Sequence, residues 1–404
     1  MSRPTACTIE QRLALALIGT CARREAGYSK IVELASWTDF RTLEALLRAQ
    51  GMLSLVGQRL LELVDDVPDD FAQQVQACCQ DAQRHGVYQQ MITIRLTAAL
   101  AEAGIRSLPL KGPMLAERVH GGLAARVSAD IDLLVAETDL IAAVDVLTKL
   151  GYRRAPRADP PHLSRPDLHE CLRSAAGLPE VELHWRVHHY ERGFSAQMLQ
   201  RALPGPDGCL SPTVPDELIA LLLFYARDGL VGLRLLADLT GWWDYFGSTL
   251  GPGEADGLVR EYPTIISAIA TAALTAKCLG GLPAEELFAS AILSSASQRA
   301  MRLSNWCVRG RRSAIAANLL MIDCLLGPPA QWRALGRRHL WPDEAALGDV
   351  WSDIGLTRSA LMRARILHLM RLSARCLIAL WQLRRGGEWA PVPGSGPSGN
   401  QNEK

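Results

Sequence analysis

Apolar residues recur at helical spacing along the first hundred residues of the chain, as in Leu13 and Leu17. This period predicts helices throughout residues 8–103. The part from Asp69 to Gly104 contains no proline and a single internal glycine, so we expect one long helix there. Gly104 supplies the C-cap at which that helix ends.

The pattern changes after this helix to short apolar runs separated by turns. Three of the runs have the length of strands: Ile105–Leu110, Ser128–Val135 and Val181–Val187. Two segments between them keep helical spacing: Met114–His120 and Asp139–Leu150. The order strand, helix, strand, helix and then further strands predicts a small α/β unit over residues 105–190.

Helical spacing returns from Val214 onward. The segments with this pattern are Asp216–Phe246, Thr264–Leu279, Glu285–Arg309 and Thr357–Arg385. The chain then ends in PVPGSGPSGNQNEK, a composition typical of a disordered tail. We therefore predict four parts: an N-terminal helical region over 1–104, an α/β core over 105–190, a C-terminal helical region over 191–390 and a disordered tail over 391–404.

Charge and cysteine content narrow the classes of function. The chain has 43 basic and 42 acidic residues, so its overall charge does not indicate a dedicated nucleic-acid-binding protein. Its 10 cysteines are scattered without a repeated Cys-x-x-Cys spacing, which indicates reduced thiols rather than disulfides or a zinc site. No signal-peptide pattern is present, and no apolar run approaches the roughly 18 residues of a membrane span. The sequence predicts a cytoplasmic protein without a membrane span.

The second predicted strand carries the residues that most clearly indicate a function. Asp130 and Asp132 are two positions apart, so both carboxylates lie on one face of the strand while Ile131 and Leu133 lie on the other. Two neighbouring carboxylates repel each other unless a positive charge lies between them. Because Mg²⁺ accepts carboxylate and phosphate oxygens, the pair predicts a magnesium site, with Mn²⁺ as the alternative ion.

A turn with phosphate-binding character precedes this strand. Lys111, Gly112 and Pro113 follow the first predicted strand and lead into a helix. Glycine allows close approach of backbone to a ligand, proline suits a first helical turn, and free N–H groups at a helix start attract phosphate. Arg126 is a second candidate phosphate contact, with an ion pair to Asp130 as the alternative.

The third predicted strand carries a further acid and a histidine. Glu182 could supply the extra carboxylate that a two-metal phosphoryl-transfer site needs, and His184 lies on the same strand face. Glu180 shares that face too, so spacing alone does not choose Glu182. His184 could contact a nucleotide or a metal ligand, transfer a proton, or serve as a structural histidine.

These segments together resemble the bacterial nucleotidyltransferase-family proteins of the polymerase-beta-like superfamily. The resemblance rests on Leu110-Lys111-Gly112, Arg126, Asp130-Ile131-Asp132-Leu133-Leu134-Val135 and Glu182-Leu183-His184-Trp185. It implies a twisted mixed sheet, and therefore an α+β fold with a small mixed-sheet core flanked by N- and C-terminal helical blocks. It also implies transfer of a nucleoside monophosphate from an NTP.

The resemblance extends to roles for single residues. Asp130, Asp132 and Glu182 match the catalytic, metal-binding carboxylates. Lys111 and Gly112 match the nucleotide-binding turn, to which we add Arg126 and His184 as candidate nucleotide-binding residues. One departure concerns the phosphates: the broader superfamily has Gly-Ser at this turn, whereas Pro113 follows Gly112 here.

The resemblance leaves the partners open. The donor is an NTP or a nucleotide sugar, and the acceptor is a peptide natural product, a sugar or RNA. Two other hypotheses compete with an enzyme. One is a catalytically inactive nucleotide-binding or scaffold protein with the same fold, and the other is an all-helical adaptor in which residues 105–190 form no sheet.

Overall fold

The computed structural model describes residues 7–155, 168–174, 176–205, 207–230, 232–293, 341 and 358–384. The N-terminal part is helical, as predicted. Its helices are α1 (Ile9–Ile18), α2 (Cys21–Ala26), α3 (Tyr28–Ser36), α4 (Phe40–Ala49), α5 (Leu53–Leu63) and α6 (Asp69–Glu102). The 34-residue helix α6 confirms the predicted long helix. At 1.5 Å per residue it spans about 50 Å, enough to reach from the N-terminal helices to the sheet.

A five-stranded sheet follows α6. Its strands are β1 (Ser107–Pro109), β2 (Asp130–Val135), β3 (Tyr152–Arg154), β4 (His169–Ser174) and β5 (Glu180–His184). Their spatial order is β1-β2-β5-β4-β3, with β2 and β5 parallel and the other neighbours antiparallel. The sheet is therefore mixed, which confirms the predicted α+β class and excludes the all-helical alternative. Strands β3 and β4 were not individually predicted.

Two helices connect the strands, and one of them packs on the sheet. The connecting helices are α7 (Pro113–His120) and α8 (Leu140–Lys149). One sheet face buries Ile131, Leu133 and Val135 of β2 against apolar side chains of α6 and α8. Leu134 points to the opposite face and joins the core formed with the helices beyond the sheet. Asp130 and Asp132 share the face of Leu134, because strand side chains alternate.

The C-terminal helices cover this second face. They are α9 (Phe194–Arg201), α10 (Val214–Arg227), α11 (Leu233–Phe246), α12 (Glu254–Arg260), α13 (Ile266–Gly280), α14 (Ala284–Leu287) and α15 (Ser290–Leu293). A two-stranded hairpin separates α9 from α10: β6 (Leu203–Pro204) and β7 (Leu210–Ser211). Nearly every residue of α10 is buried, so this helix forms the centre of the larger core.

Several predicted boundaries were wrong. Helix α9 begins before residue 214. The predicted segment 216–246 divides into α10 and α11, because Gly229, Leu230 and Gly232 have positive φ and interrupt it. The helix Arg358–Arg384 agrees with the last predicted segment. Most of the predicted segment 285–309 and the whole predicted tail 391–404 lie outside the described residues. None of the helices in the described ranges is both long and apolar enough to cross a membrane.

Candidate active site

The turn between β1 and α7 brings Lys111 to the edge of the sheet. Gly112 has φ 77° and ψ −147°, a backbone conformation that is almost confined to glycine. Pro113 occupies the first position of α7, where its missing N–H costs no helical hydrogen bond. The structure thus has a glycine turn with an open surface and a helix start behind it, and phosphate binding there stays a prediction.

The segment leading into β2 is held by helix α6. The carbonyl oxygen of Ser128 contacts His85 Nε2 at 2.8 Å and accepts a hydrogen bond from Gln89 Nε2 at 2.9 Å. The hydroxyl of Ser128 in turn donates to Asp130 Oδ1 at 3.0 Å. Helix α6 thus positions the first carboxylate of the site through a short chain of hydrogen bonds.

Three carboxylates meet at the start of the parallel strands. Asp130, Asp132 and Glu182 each offer an oxygen, and these oxygens lie within 4.8 Å of one another. The register pairs Asp132 with Glu182 and Asp130 with Glu180. Glu180 instead bonds to Arg173, whose Nε lies 2.9 Å from its Oε2. The structure therefore brings together the three predicted carboxylates and pairs Glu180 with Arg173.

Asp132 lies at the centre of the charged cluster. Its side chain is 1% exposed, and its Oδ1 contacts Lys111 Nζ at 3.1 Å and His184 Nε2 at 3.0 Å. Burial alone would raise the pKa of Asp132, but the Lys111 charge and the His184 hydrogen bond outweigh it and hold the pKa well below its usual range. The carboxylate is therefore ionised. Its other oxygen, Oδ2, is buried and has no hydrogen-bond partner among the described residues.

The other acids have different environments. Burial, followed by the charge of Asp132, raises the pKa of Asp130. Burial would also raise the pKa of Glu182, but a hydrogen bond from His184 shifts it downward. The His184 ring is fully buried and bridges Asp132 and Glu182, with Nε2 3.1 Å from Glu182 Oε2. Burial disfavours the charged imidazolium, yet these two hydrogen bonds prevail and raise the pKa of His184.

His169 is a site residue that the sequence analysis missed. It lies on β4 directly opposite His184, and its Nε2 is 3.7 Å from Glu182 Oε1. Burial, followed by the charge of His184, lowers the pKa of His169 to about 4, so the ring is neutral at pH 7. The alternation of His169, Cys171 and Arg173 along residues 169–174 was the available signal.

His169, Glu182 and His184 form a second group close enough to share a metal ion. Metal-bound histidines almost always donate their other ring N–H to an acceptor. Here neither Nδ1 atom has a hydrogen-bond partner in the described part of the chain. The three carboxylates, with the free Oδ2 of Asp132, therefore fit a hard divalent cation better than this histidine set does.

Arg126 lies behind the carboxylates in a buried ion pair. Its Nε donates to Asp238 Oδ2 at 2.8 Å, and His120 Nε2 contacts the other oxygen of Asp238 at 3.2 Å. The ion-pair partner is thus Asp238, on α11, rather than Asp130 as one alternative expected. Arg126 Nη1 is buried without a hydrogen-bond partner within the described ranges, and Arg234 Nη1 donates to the Val127 carbonyl at 2.9 Å.

The arrangement suits transfer of a phosphorus group. Clustered acids can hold divalent cations, while a glycine turn, a lysine and a helix start can bind phosphates. A mixed sheet with Asp-x-Asp on one strand and an acid on its parallel neighbour is also what the resemblance to nucleotidyltransferases implies.

Sequence comparison agrees with this class. A family model described as uncharacterised nucleotidyltransferase matches residues 36–279, a range that includes the whole sheet and every site residue discussed above. The chain belongs to this family and is a nucleotidyltransferase, so the predicted resemblance is confirmed. Comparison with curated proteins gives no match.

Proposed function

We propose that this protein is a magnesium-dependent nucleotidyltransferase that moves a nucleoside monophosphate from an NTP to an acceptor hydroxyl or phosphate. One observation carries the proposal: three carboxylates lie within 4.8 Å of one another, and the buried Oδ2 of Asp132 lacks a partner in the described residues. A buried acceptor left unsatisfied is costly, so a bound cation explains both features.

Asp130, Asp132 and Glu182 would hold the metal. When bound, Mg²⁺ neutralises phosphate oxygens and favours in-line displacement at the α-phosphorus. His184 would orient two of the three ligands, because its Nε2 lies within hydrogen-bonding distance of both Asp132 and Glu182. Mn²⁺ offers the same coordination preference and is the alternative ion.

The donor's triphosphate would lie at the Gly112 turn. Lys111 has three N–H donors, and its contact with Asp132 leaves others for phosphate oxygens. Pro113 brings no hydroxyl, so the backbone N–H groups at the start of α7, Lys111 and the free Nη1 of Arg126 would supply the contacts. These donors would offset the charge that develops on the leaving pyrophosphate.

Glu182 would contact the acceptor substrate. Its side chain is 20% exposed, whereas that of Asp132 is 1% exposed. For a hydroxyl acceptor, the oxygen forms a bond to the α-phosphorus while the bond to pyrophosphate breaks. Glu182 would orient the hydroxyl and accept its proton.

Thermal unfolding with ligands tests the proposal. The wild type and Asp132→Asn are each heated with the four NTPs and several nucleotide sugars, in magnesium or in EDTA. A ligand at about 100 times its Kd stabilises by roughly 2.7 kcal/mol, which raises Tm by several degrees. The matched control is Asp145→Asn, which alters an exposed aspartate on α8 away from the cluster.

We expect a magnesium-dependent shift with at least one NTP in the wild type and Asp145→Asn, and its loss in Asp132→Asn. The proposal is wrong if no donor gives a magnesium-dependent shift, or if Asp132→Asn keeps the full shift. A donor identified in this way is then incubated with pools of sugars, peptides and RNA. Binding without any pyrophosphate release would favour the inactive nucleotide-binding alternative.

A further inference from the structure

The end of helix α10 contributes two residues to the surroundings of the site. Phe224 is fully buried, and its ring centroid lies 4.8 Å from Lys111 Nζ and 4.7 Å from the guanidinium carbon of Arg227. The ring also makes an edge contact with His184, at 6.2 Å between centroids. Phe224 and Arg227 are three positions apart, so they share a face of the helix. One buried ring is thus in contact with Lys111 and His184 of the site and with Arg227.

Arg227 has N–H donors that lack an acceptor among the described residues. Its side chain is 12% exposed, and its Nε lies 3.3 Å from Asp228 Oδ1. Its Nη1 is buried and has no hydrogen-bond partner among the residues that the structure describes. A buried charged donor without an acceptor is strongly unfavourable. An anionic ligand would remove this cost, and the planar guanidinium fork matches phosphate oxygens.

The backbone after Arg227 is strained in a way that fixes the helix end. Leu230 has φ 58° and is a fully buried non-glycine residue in the left-handed region, between Gly229 at φ 80° and Gly232 at φ 97°. Its N–H donates to the Tyr225 carbonyl at 2.8 Å. Strain of this kind persists where the surrounding structure imposes it, and it is concentrated at functional sites.

The alternative to ligand binding is a purely structural role for Arg227. A cation in the last turn of a helix interacts favourably with the helix dipole, and Arg227 occupies that position in α10. That role asks for no particular neighbour, whereas Arg227 is mostly buried and packs on the Phe224 ring that Lys111 also contacts. Helix capping therefore does not explain why a second cation is packed against the same aromatic ring.

We infer that Arg227 binds the polyphosphate of the donor, together with Lys111, and retains the leaving pyrophosphate. The inference rests on the proposed function, because it assigns a phosphate-binding residue to the same site. It adds a residue from the C-terminal helices to a site otherwise formed by the sheet and the turn at Gly112. The helical region then takes part in substrate binding directly.

Isothermal titration of the full chain tests this assignment. The titrants are magnesium pyrophosphate, magnesium tripolyphosphate and each magnesium NTP, with magnesium alone as a separate titration. The variants are Arg227→Ala and Arg227→Lys. The matched control is Arg260→Ala, which removes an exposed arginine that pairs with Asp256 on α12. Unliganded thermal unfolding of each variant shows that it is folded.

We expect Arg227→Ala to weaken polyphosphate binding by about 10- to 100-fold, since one charge-assisted contact is lost. Arg227→Lys keeps the charge without the fork and should fall between Arg227→Ala and the wild type. Magnesium alone should bind equally to all variants, because the carboxylates are unchanged. Arg260→Ala should behave as the wild type does.

The outcomes separate this inference from the proposed function. Polyphosphate affinity in Arg227→Ala equal to that of the wild type overturns the assignment, even if NTP binding depends on Asp132. Arg227-dependent binding of tripolyphosphate without any NTP binding supports the assignment and overturns the proposed donor. A wild type that binds neither overturns both.

Discussion

For the buried pair Arg126–Asp238, the contribution of the ionised carboxylate to the unfolding free energy can be calculated. Both side chains are at most 3% exposed, and they join the segment before β2 to helix α11. Burial would raise the pKa of Asp238, but the Arg126 charge and the hydrogen bonds from His120 and Arg126 outweigh it and lower the pKa to about 2. Against the ordinary value of 3.8, this corresponds to about 2.5 kcal/mol of stabilisation by the ionised form.

Asp238→Asn preserves shape while removing this charge. Arg126 would keep a hydrogen-bond acceptor but lose its counterion in a buried position. We expect the free energy of unfolding at pH 7 to fall by about 2.5 kcal/mol and Tm to fall by about 3 °C. Thermal and urea unfolding measure both quantities. The control is Glu33→Gln, whose pair with Lys30 is almost half exposed and should give no measurable change.

The pH dependence checks the electrostatic origin. The folded-state pKa of Asp238 is depressed, so its stabilising effect is fully present above the unfolded-state value near 4 and is lost as pH falls towards 2. As pH falls from 4 towards 2, the stability gap between the wild type and Asp238→Asn should narrow. A variant within 1 °C of the wild type at pH 7, or a gap that widens as pH falls from 4 to 2, would refute the reasoning.

Three glycine substitutions test backbone and packing constraints near the site. Gly112→Ala should lower the unfolding free energy by about 1–3 kcal/mol, because φ 77° strains an alanine, and it should reduce the NTP-dependent Tm shift. An unchanged Tm together with an unchanged shift would contradict the role assigned to the turn. Gly86→Ala should destabilise despite alanine's higher helix propensity, because its Cβ would lie 2.9 Å from Leu123 Cβ; a raised urea midpoint would disprove this. Gly241→Ala should displace His120, whose ring would lie 2.7 Å from the new Cβ, and should lower Tm by several degrees. A Tm equal to that of the wild type would show that the ring moves freely.

Pairing across the sheet could not be predicted from residue spacing. Period-two alternation put Glu180, Glu182 and His184 on one strand face, but the structure groups Glu182 with the two aspartates and pairs Glu180 with Arg173 of β4. His169 joined the site because β4 pairs with β5, and β4 was not recognised as a separate strand. Register depends on contacts between segments about 50 residues apart, which alternation within one segment does not encode.

The buried charge pairs could not be predicted from residue spacing either. Arg126 and Asp238 are 112 positions apart, and the packing of α11 behind the sheet brings them together. Arg227 gave no local signal either, since it ends a helix whose apolar residues outnumber its polar ones. Its place next to the site follows from the packing of α10, whose Phe224 ring contacts both Arg227 and Lys111.

Features that depend only on neighbouring residues could be predicted from the sequence. These are the long helix α6, the Lys-Gly-Pro turn and the shared face of Asp130 and Asp132, all of which follow from helical period, glycine conformation or strand alternation. The tertiary structure decided which acid completes the cluster, which cations neutralise it and which helix covers it. Those choices depend on strand register and helix packing, because charges far apart in the chain interact strongly only after burial brings them together.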